Sequence, residues 1–186
     1  WTTIVRGTVR NRANGEPIPG VSVVPKGGKG VRTGPDGTFV IDVRPYLPKA
    51  TLNVAAKWFQ RAPVQHSTGG TIEFVLVPDA VGKAGFTLAF PPTTYVRSDD
   101  KVTTLRGRII DSQTTKGIGG AEVQFVRSSM RTKTAADGSF AMRSISPGPH
   151  RFYVLRRPGG PPLSRTYYQF SVPDGHTADV VVTISP

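Results

Sequence analysis

Any catalytic or metal site in this 186-residue chain would have to be built from three histidines and twelve acidic side chains, without cysteine. His66, His150 and His176 fall in separate strands or turns, and no two of them are at ligand spacing. The missing cysteines exclude disulfides and thiolate metal sites. Asp99-Asp100 is the only adjacent acidic pair and reads as a solvated linker. A glycosidase needs two carboxylates facing each other across a cleft, and nothing nominates such a pair. G-x-S-x-G, H-E-x-x-H and P-loop motifs are absent. Gly27-Gly28-Lys29-Gly30 resembles a phosphate loop only in composition. It lacks the closing Lys-Ser/Thr and a helix after it, so it reads as a hairpin turn. The residues therefore point away from an enzyme and call for no metal or cofactor.

Binding is the better use of this composition. Net charge is +12, with 16 arginines against 8 lysines. Residues 1–98 carry 12 basic and 5 acidic groups, and residues 99–186 carry 12 and 7, so no tail explains the charge. Arginine's planar fork suits carboxylate and phosphate partners. Arg6, Arg10, Arg106 and Arg108 are expected on outward strand faces, and Arg156-Arg157 at a loop tip beside Pro158-Gly159-Gly160. Nucleic acid is disfavoured, because the phenylalanines Phe39, Phe74, Phe140 and Phe170 occupy inward positions rather than a basic groove. An acidic or amphipathic protein partner ranks first and a glycan second. Trp1, Trp58-Phe59 and Tyr167-Tyr168 are unassigned aromatics. In a strand, one member of each adjacent pair must face outward unless another surface covers it, and core or inter-domain packing ranks ahead of exposed sugar-stacking rings.

These side chains are set on a pattern that occurs twice. Ile4-Val5-Arg6-Gly7-Thr8-Val9 returns as Thr104-Leu105-Arg106-Gly107-Arg108-Ile109, and Pro35-Asp36-Gly37-Thr38-Phe39 as Ala136-Asp137-Gly138-Ser139-Phe140. Gly7 and Gly107 are 100 apart, and Asp36 and Asp137 are 101 apart, so the second copy holds one extra residue between those blocks. Copies this long fold as units with their own cores. Val5, Gly7 and Val9 alternate with Arg6, Thr8 and Arg10, which is the period of a half-buried strand. A glycine on that inward face predicts a bulge or a close approach by a core aromatic. Asp36-Gly37 and Asp137-Gly138 predict tight turns with positive φ at glycine, read here as hairpins. No apolar pattern of helical period occurs. Short strands with frequent turn signals predict an all-β chain of two tandem antiparallel β-sandwich domains, with little or no helix.

These blocks resemble the carboxypeptidase regulatory-like domain, a transthyretin-like β-sandwich. In the first copy the resemblance is carried by Gly7, Pro17, Ile18, Gly20, Val21, Val23, Asp36, Gly37 and Phe39. In the second it is carried by Gly107, Ile118, Gly120, Val123, Asp137, Gly138 and Phe140, with Gly117 at the proline position. The resemblance implies a non-catalytic domain of exported bacterial proteins, serving as spacer, folding aid or docking surface. Collagen-adhesin B-type domains share the sandwich. Arg6 and Arg106 stand where many of those place an isopeptide lysine, so that resemblance is discounted.

The expected division is a first sandwich over 1–78, an apolar connector or extra edge strand over 79–103, and a second sandwich over 104–186. The run Val81–Val96 is too apolar for a free linker. It is expected either on the edge of the first domain or docked between the two. The function expected is a structural or docking module of an exported or membrane-associated bacterial assembly, periplasmic or extracellular. It would bind through the arginine faces, through Phe86, Leu88 and Phe90, and through Trp58. A carbohydrate-binding or adhesive module is the alternative. The sequence contains neither a signal peptide nor a membrane span, which suggests a mature protein or a piece of a longer one.

Overall fold

The structure, a computed structural model, describes residues 3–185. Trp1 lies outside the described residues. Apart from 147–149, the chain divides into two compact units, one up to Asp79 and one from Ala80 onward. In the first unit, β1 (Ile4–Asn11), β4 (Thr38–Asp42) and β7 (Gly70–Leu76) form one sheet in the order β4-β1-β7. The other sheet, β3-β2-β5-β6, is built from β2 (Ser22–Pro25), β3 (Val31–Arg32), β5 (Ala50–Ala55) and β6 (Gln65–Ser67). The one helical element among the described residues is a 3₁₀ turn, Arg44–Tyr46.

The second unit has the same plan with two additions. β8 (Thr87–Ala89) and β9 (Thr93–Arg97) precede β10 (Thr104–Asp111), β11 (Glu122–Phe125), β12 (Arg131–Lys133), β13 (Ser139–Met142), β14 (Gly148–Leu155), β15 (Thr166–Val172) and β16 (His176–Ile184). Of these, β12, β14, β15 and β16 are longer than their counterparts in the first unit. The sheets run β13-β10-β16-β9 and β12-β11-β14-β15-β8. The 79–103 segment forms extra edge strands, but on the second unit rather than on the edge of the first. It supplies one edge strand to each sheet of the second unit, β9 antiparallel to β16 and β8 parallel to β15. The physical reason is the open backbone edge. Unpaired N–H and C=O groups on β15 and β16 gain partners, and Ala89 and Tyr95 pack on the core.

Each core lies between its own two sheets. Val5, Val9, Val23, Phe39, Ile41, Leu52 and Phe74 fill the first, and Leu105, Ile109, Val123, Phe140, Phe152 and Phe170 belong to the second. The all-β sandwich class is as expected. Antiparallel pairing is interrupted where β1 runs parallel to β7, β10 to β16 and β8 to β15.

The two glycines on the first strands have the expected close neighbour. A Cβ on Gly7 would lie 2.6 Å from Phe39 Cε1, and one on Gly107 would lie 2.7 Å from Phe140 Cε1. The Asp-Gly turns form, with φ of 73° at Gly37 and 82° at Gly138. They are not hairpin loops, however. β3 pairs with β2 and β4 with β1, so the turn carries the chain from one sheet to the other. The extra residue of the second copy sits in the β11–β12 turn. Ser22 pairs with Arg32, whereas Glu122 pairs with Lys133.

Two buried threonines join sheet to turn in the same way in both units. Thr33 Oγ1 accepts from Val21 N at 3.0 Å and donates to Ile18 O at 2.7 Å. Thr134 Oγ1 does so with Ala121 N and Ile118 O at 3.0 and 2.7 Å. A hydroxyl there satisfies backbone groups that a valine would leave unpaired.

Candidate binding faces

The arginine-bearing faces follow from strand alternation. Val5 and Val9 point into the core, so Arg6 and Arg10 point out, and both are exposed. Arg6 lies between Val40 of β4 and Thr71 of β7, and Arg10 beside Val75. Arg10 pairs with Glu73 at 3.4 Å and donates to Gly15 O at 3.3 Å. On the second unit, Arg106 holds Asp179 through two bonds, Nε–Oδ1 at 2.6 Å and Nη2–Oδ2 at 2.9 Å. Arg108 Nε donates to Asp137 O at 2.9 Å. Three of the four arginines are therefore engaged within their own unit, and the carboxylates beside Arg10 and Arg106 lower the charge those two offer a partner. Six large apolar side chains among the described residues are exposed, and four lie on these two faces: Val40, Val75, Val96 and Val181. Arg156 and Arg157 are exposed in the loop after β14, where Arg156 N donates to Pro161 O at 2.9 Å.

The outer face of the five-stranded sheet is aromatic. Phe152 and Val154 are core residues, so Tyr153 between them faces outward. Tyr168 is buried and Tyr167 is half-buried on the outer face, as expected for an adjacent pair in a strand. Tyr167 and Tyr153 have ring centroids 5.8 Å apart, and Phe86 and Tyr167 5.3 Å apart. Leu88, paired in register with Tyr167, is half-buried, as is Phe90. Burial pushes the Tyr153 hydroxyl above its ordinary pKa, with Tyr167 and Glu122 adding to the shift, so it stays a protonated donor. Sequence reasoning missed Tyr153 and Lys83. The signal for Tyr153 was available, because it is out of phase with Phe152 and Val154.

Trp58 does not present a face to a partner. It is 7% exposed, and Lys57 Nζ lies 5.3 Å from its ring centroid. Trp58-Phe59 is not in a strand at all. Trp58 has φ 69° in a turn, so alternation does not apply and both rings are buried. The histidines are dispersed as expected. His66 Nδ1 meets Thr51 Oγ1 at 3.0 Å, His176 Nδ1 lies 2.8 Å from Asp174 O, and His150 lies 5.1 Å from Phe125 and 5.5 Å from Phe170 between ring centroids. No group of three metal-ligating side chains occurs among the described residues. Nor is any helix among them long and apolar enough to cross a membrane.

The turn aspartates serve structure. Asp36 Oδ1 accepts from Thr38 Oγ1 at 2.6 Å and Asp137 Oδ1 from Ser139 Oγ at 2.6 Å. These hydroxyl bonds, then the backbone N–H of the same residues, hold both carboxyls below the usual carboxylate range. A depressed folded pKa gives stability that is present above the unfolded value of about 3.9 and is lost as pH falls through the folded one. Melting followed against pH should therefore show Asp137→Asn below wild type at neutral pH, with the gap closing below about pH 4. A gap independent of pH would contradict this.

Residues 104–185 match the carboxypeptidase regulatory-like domain family. No curated protein matches the chain in sequence. Among solved structures, the TIE protein of Bacillus anthracis is similar at 11% identity and TM-score 0.37, covering 98% of this chain and 33% of that one. The chain thus spans about a third of that protein's length. The shaft pilin SpaA of Lactobacillus rhamnosus GG is similar at 9% identity and TM-score 0.38, covering 100% and 99%. BcpA, the major pilin subunit of Bacillus cereus, is similar at 8% identity and TM-score 0.36, covering 98% and 99%. These scores are too low for the likeness to carry a role across.

Proposed function

We propose that the chain is a non-catalytic structural module, two copies of a regulatory-like sandwich, that docks an acidic or amphipathic protein partner. The supporting observation is the composition of the two outer sheet faces. Arg6 and Arg10 share a face with Val40, 49% exposed, and Val75, 48% exposed, and Arg108 lies beside Val181, 45% exposed. Exposed apolar side chains scattered singly need no explanation, whereas a cluster beside cations fits association. Cations steer the encounter and buried valines slow dissociation. The family match over 104–185 supports a place on the exported side of a bacterium, periplasmic or extracellular.

The test is chemical cross-linking in the native source, with the captured partner then measured against variants. Arg6→Glu with Arg108→Glu should slow association and reduce its salt dependence, because exposed charges are screened beyond about 8–10 Å at physiological salt. Val40→Ser with Val75→Ser should speed dissociation instead. Unchanged rates in both pairs, with circular dichroism confirming the fold, would reject the docking reading.

A further inference from the structure

The aromatic face of the second unit is also a cleft, and it shares no residue with the docking faces above. It encloses about 540 Å³, within the ordinary range for small-ligand sites. Three rings from separate parts of the chain form one wall. Tyr153 comes from β14, Tyr167 from β15, and Phe86 from the segment before β8. Lys83 Nζ lies 4.7 Å from the Phe86 ring centroid, and Arg127, from the β11–β12 turn, joins the lining with Gln124. Among the described residues, no acidic side chain lines the cleft. Glu122 precedes Gln124 by two residues on the same strand face, but it is 5% exposed. It accepts from Gly159 N at 3.3 Å and pairs with Arg131 at 3.6 Å, so its charge is already met.

We propose that this cleft binds a short acidic oligosaccharide, of the uronic-acid class, with pyranose C–H faces on the Tyr167 and Tyr153 rings and the sugar carboxylate towards Lys83 and Arg127. Half-buried rings suit a sugar, whose axial C–H bonds pack on a π face while its hydroxyls need donors and acceptors. The tyrosine hydroxyls and the Gln124 amide provide those. Lys83, at a cleft where no carboxylate among the described residues joins the lining, selects the acidic sugar over the neutral one. Single-stranded nucleic acid fits less well. The rings incline by 47° and 48° with centroids less than 6 Å apart, which leaves no slot for a base between them. Two cations also fall short of a track for successive phosphates.

The experiment is calorimetric titration of the full chain with trigalacturonate, alongside cellotriose, a short oligothymidylate and an acidic proline-rich peptide. Trigalacturonate should bind and shift the tyrosine resonances of Tyr153 and Tyr167, with cellotriose at least about tenfold weaker. Tyr167→Ala should abolish the heat. Lys83→Glu, at an exposed site that leaves the core untouched, should weaken trigalacturonate about tenfold and leave cellotriose unchanged. Tighter binding of the oligothymidylate or the peptide would overturn the sugar assignment. Equal binding of both sugars would overturn the acidic class. Absence of binding by either sugar, or full binding by both variants, would overturn the site itself.

Discussion

Gly138→Val is expected to destabilise the second unit by about 2–5 kcal/mol, from backbone strain and overpacking together. Gly138 has φ 82°, a conformation that a β-branched residue adopts only under strain. Its space is also closed. A Cβ there would lie 2.8 Å from Gly117 Cα and 2.8 Å from Ile118 N, and both are backbone atoms. The turn cannot move away easily, because Ile109 N donates to Gly138 O at 2.9 Å and ties it to β10. Gly37→Val should act in the same way on the first unit. There φ is 73°, and the new Cβ would fall 2.6 Å from Pro17 Cβ and 2.9 Å from Val9 O. Urea unfolding followed by circular dichroism measures both, and Trp58 fluorescence reports on Gly37→Val. Wild-type midpoints in the two valine variants would show that these glycines are not required. A loss in Gly138→Ala close to that in the valine variant would assign most of the cost to φ and to the Cβ itself rather than to the branching methyl groups.

Phe152→Ala should cost the second unit about 3–5 kcal/mol, through lost burial and the cavity left behind. Phe152 is fully buried. Its ring centroid lies 5.4 Å from Tyr168, 6.0 Å from Phe170 and 6.2 Å from Phe140, so it packs among three rings from two other strands, β15 and β13. Deleting it removes the ring on which the others pack, and no backbone shift can refill that space at low cost. Leu52 in the first unit is also fully buried, but its core cluster is mainly aliphatic, and Leu52→Ala should cost about 2–4 kcal/mol. A loss below about 1.5 kcal/mol for Phe152→Ala would mean that the aromatic cluster repacks, contrary to the interdigitated core described here. Differential scanning calorimetry on the two variants decides this.

The strand pattern and the turn chemistry were legible in the sequence, because both are local. Gly7 and Gly107 announced a core aromatic at close range, since a side chain on an inward position would have met Phe39 or Phe140. Asp36-Gly37 announced its positive φ. It did not announce which strand the next residues would pair with, because a tight turn fixes backbone direction but not the sheet that receives the strand. Trp58-Phe59 took the buried one of its two expected places, for a related reason. Alternation is informative only within a strand, and Trp58 lies in a turn with positive φ. The segment 79–103 was the largest difference. Its apolar content showed that it had to be covered, but pairing of Thr93 with Val180 or of Leu88 with Tyr167 spans long sequence separations that composition does not encode. The aromatic cleft was half legible. Tyr167 was singled out, whereas Tyr153 and Phe86 join it only once β8 is placed beside β15.

The placement of that segment decides how the chain can bind. If β8 and β9 are integral to the second sandwich, Phe86 and Leu88 belong to its aromatic face. Partner docking then falls to the arginine–valine faces. Amide hydrogen exchange on the intact chain tests this most directly, since protection reports backbone pairing residue by residue. The amides of β9 that pair with β16, and those of β8 that pair with β15, should exchange far more slowly than those of the exposed loop 82–85. Exchange of Thr87–Ala89 and Thr93–Arg97 at the rate of that loop would return the segment to a free apolar connector and contradict the account.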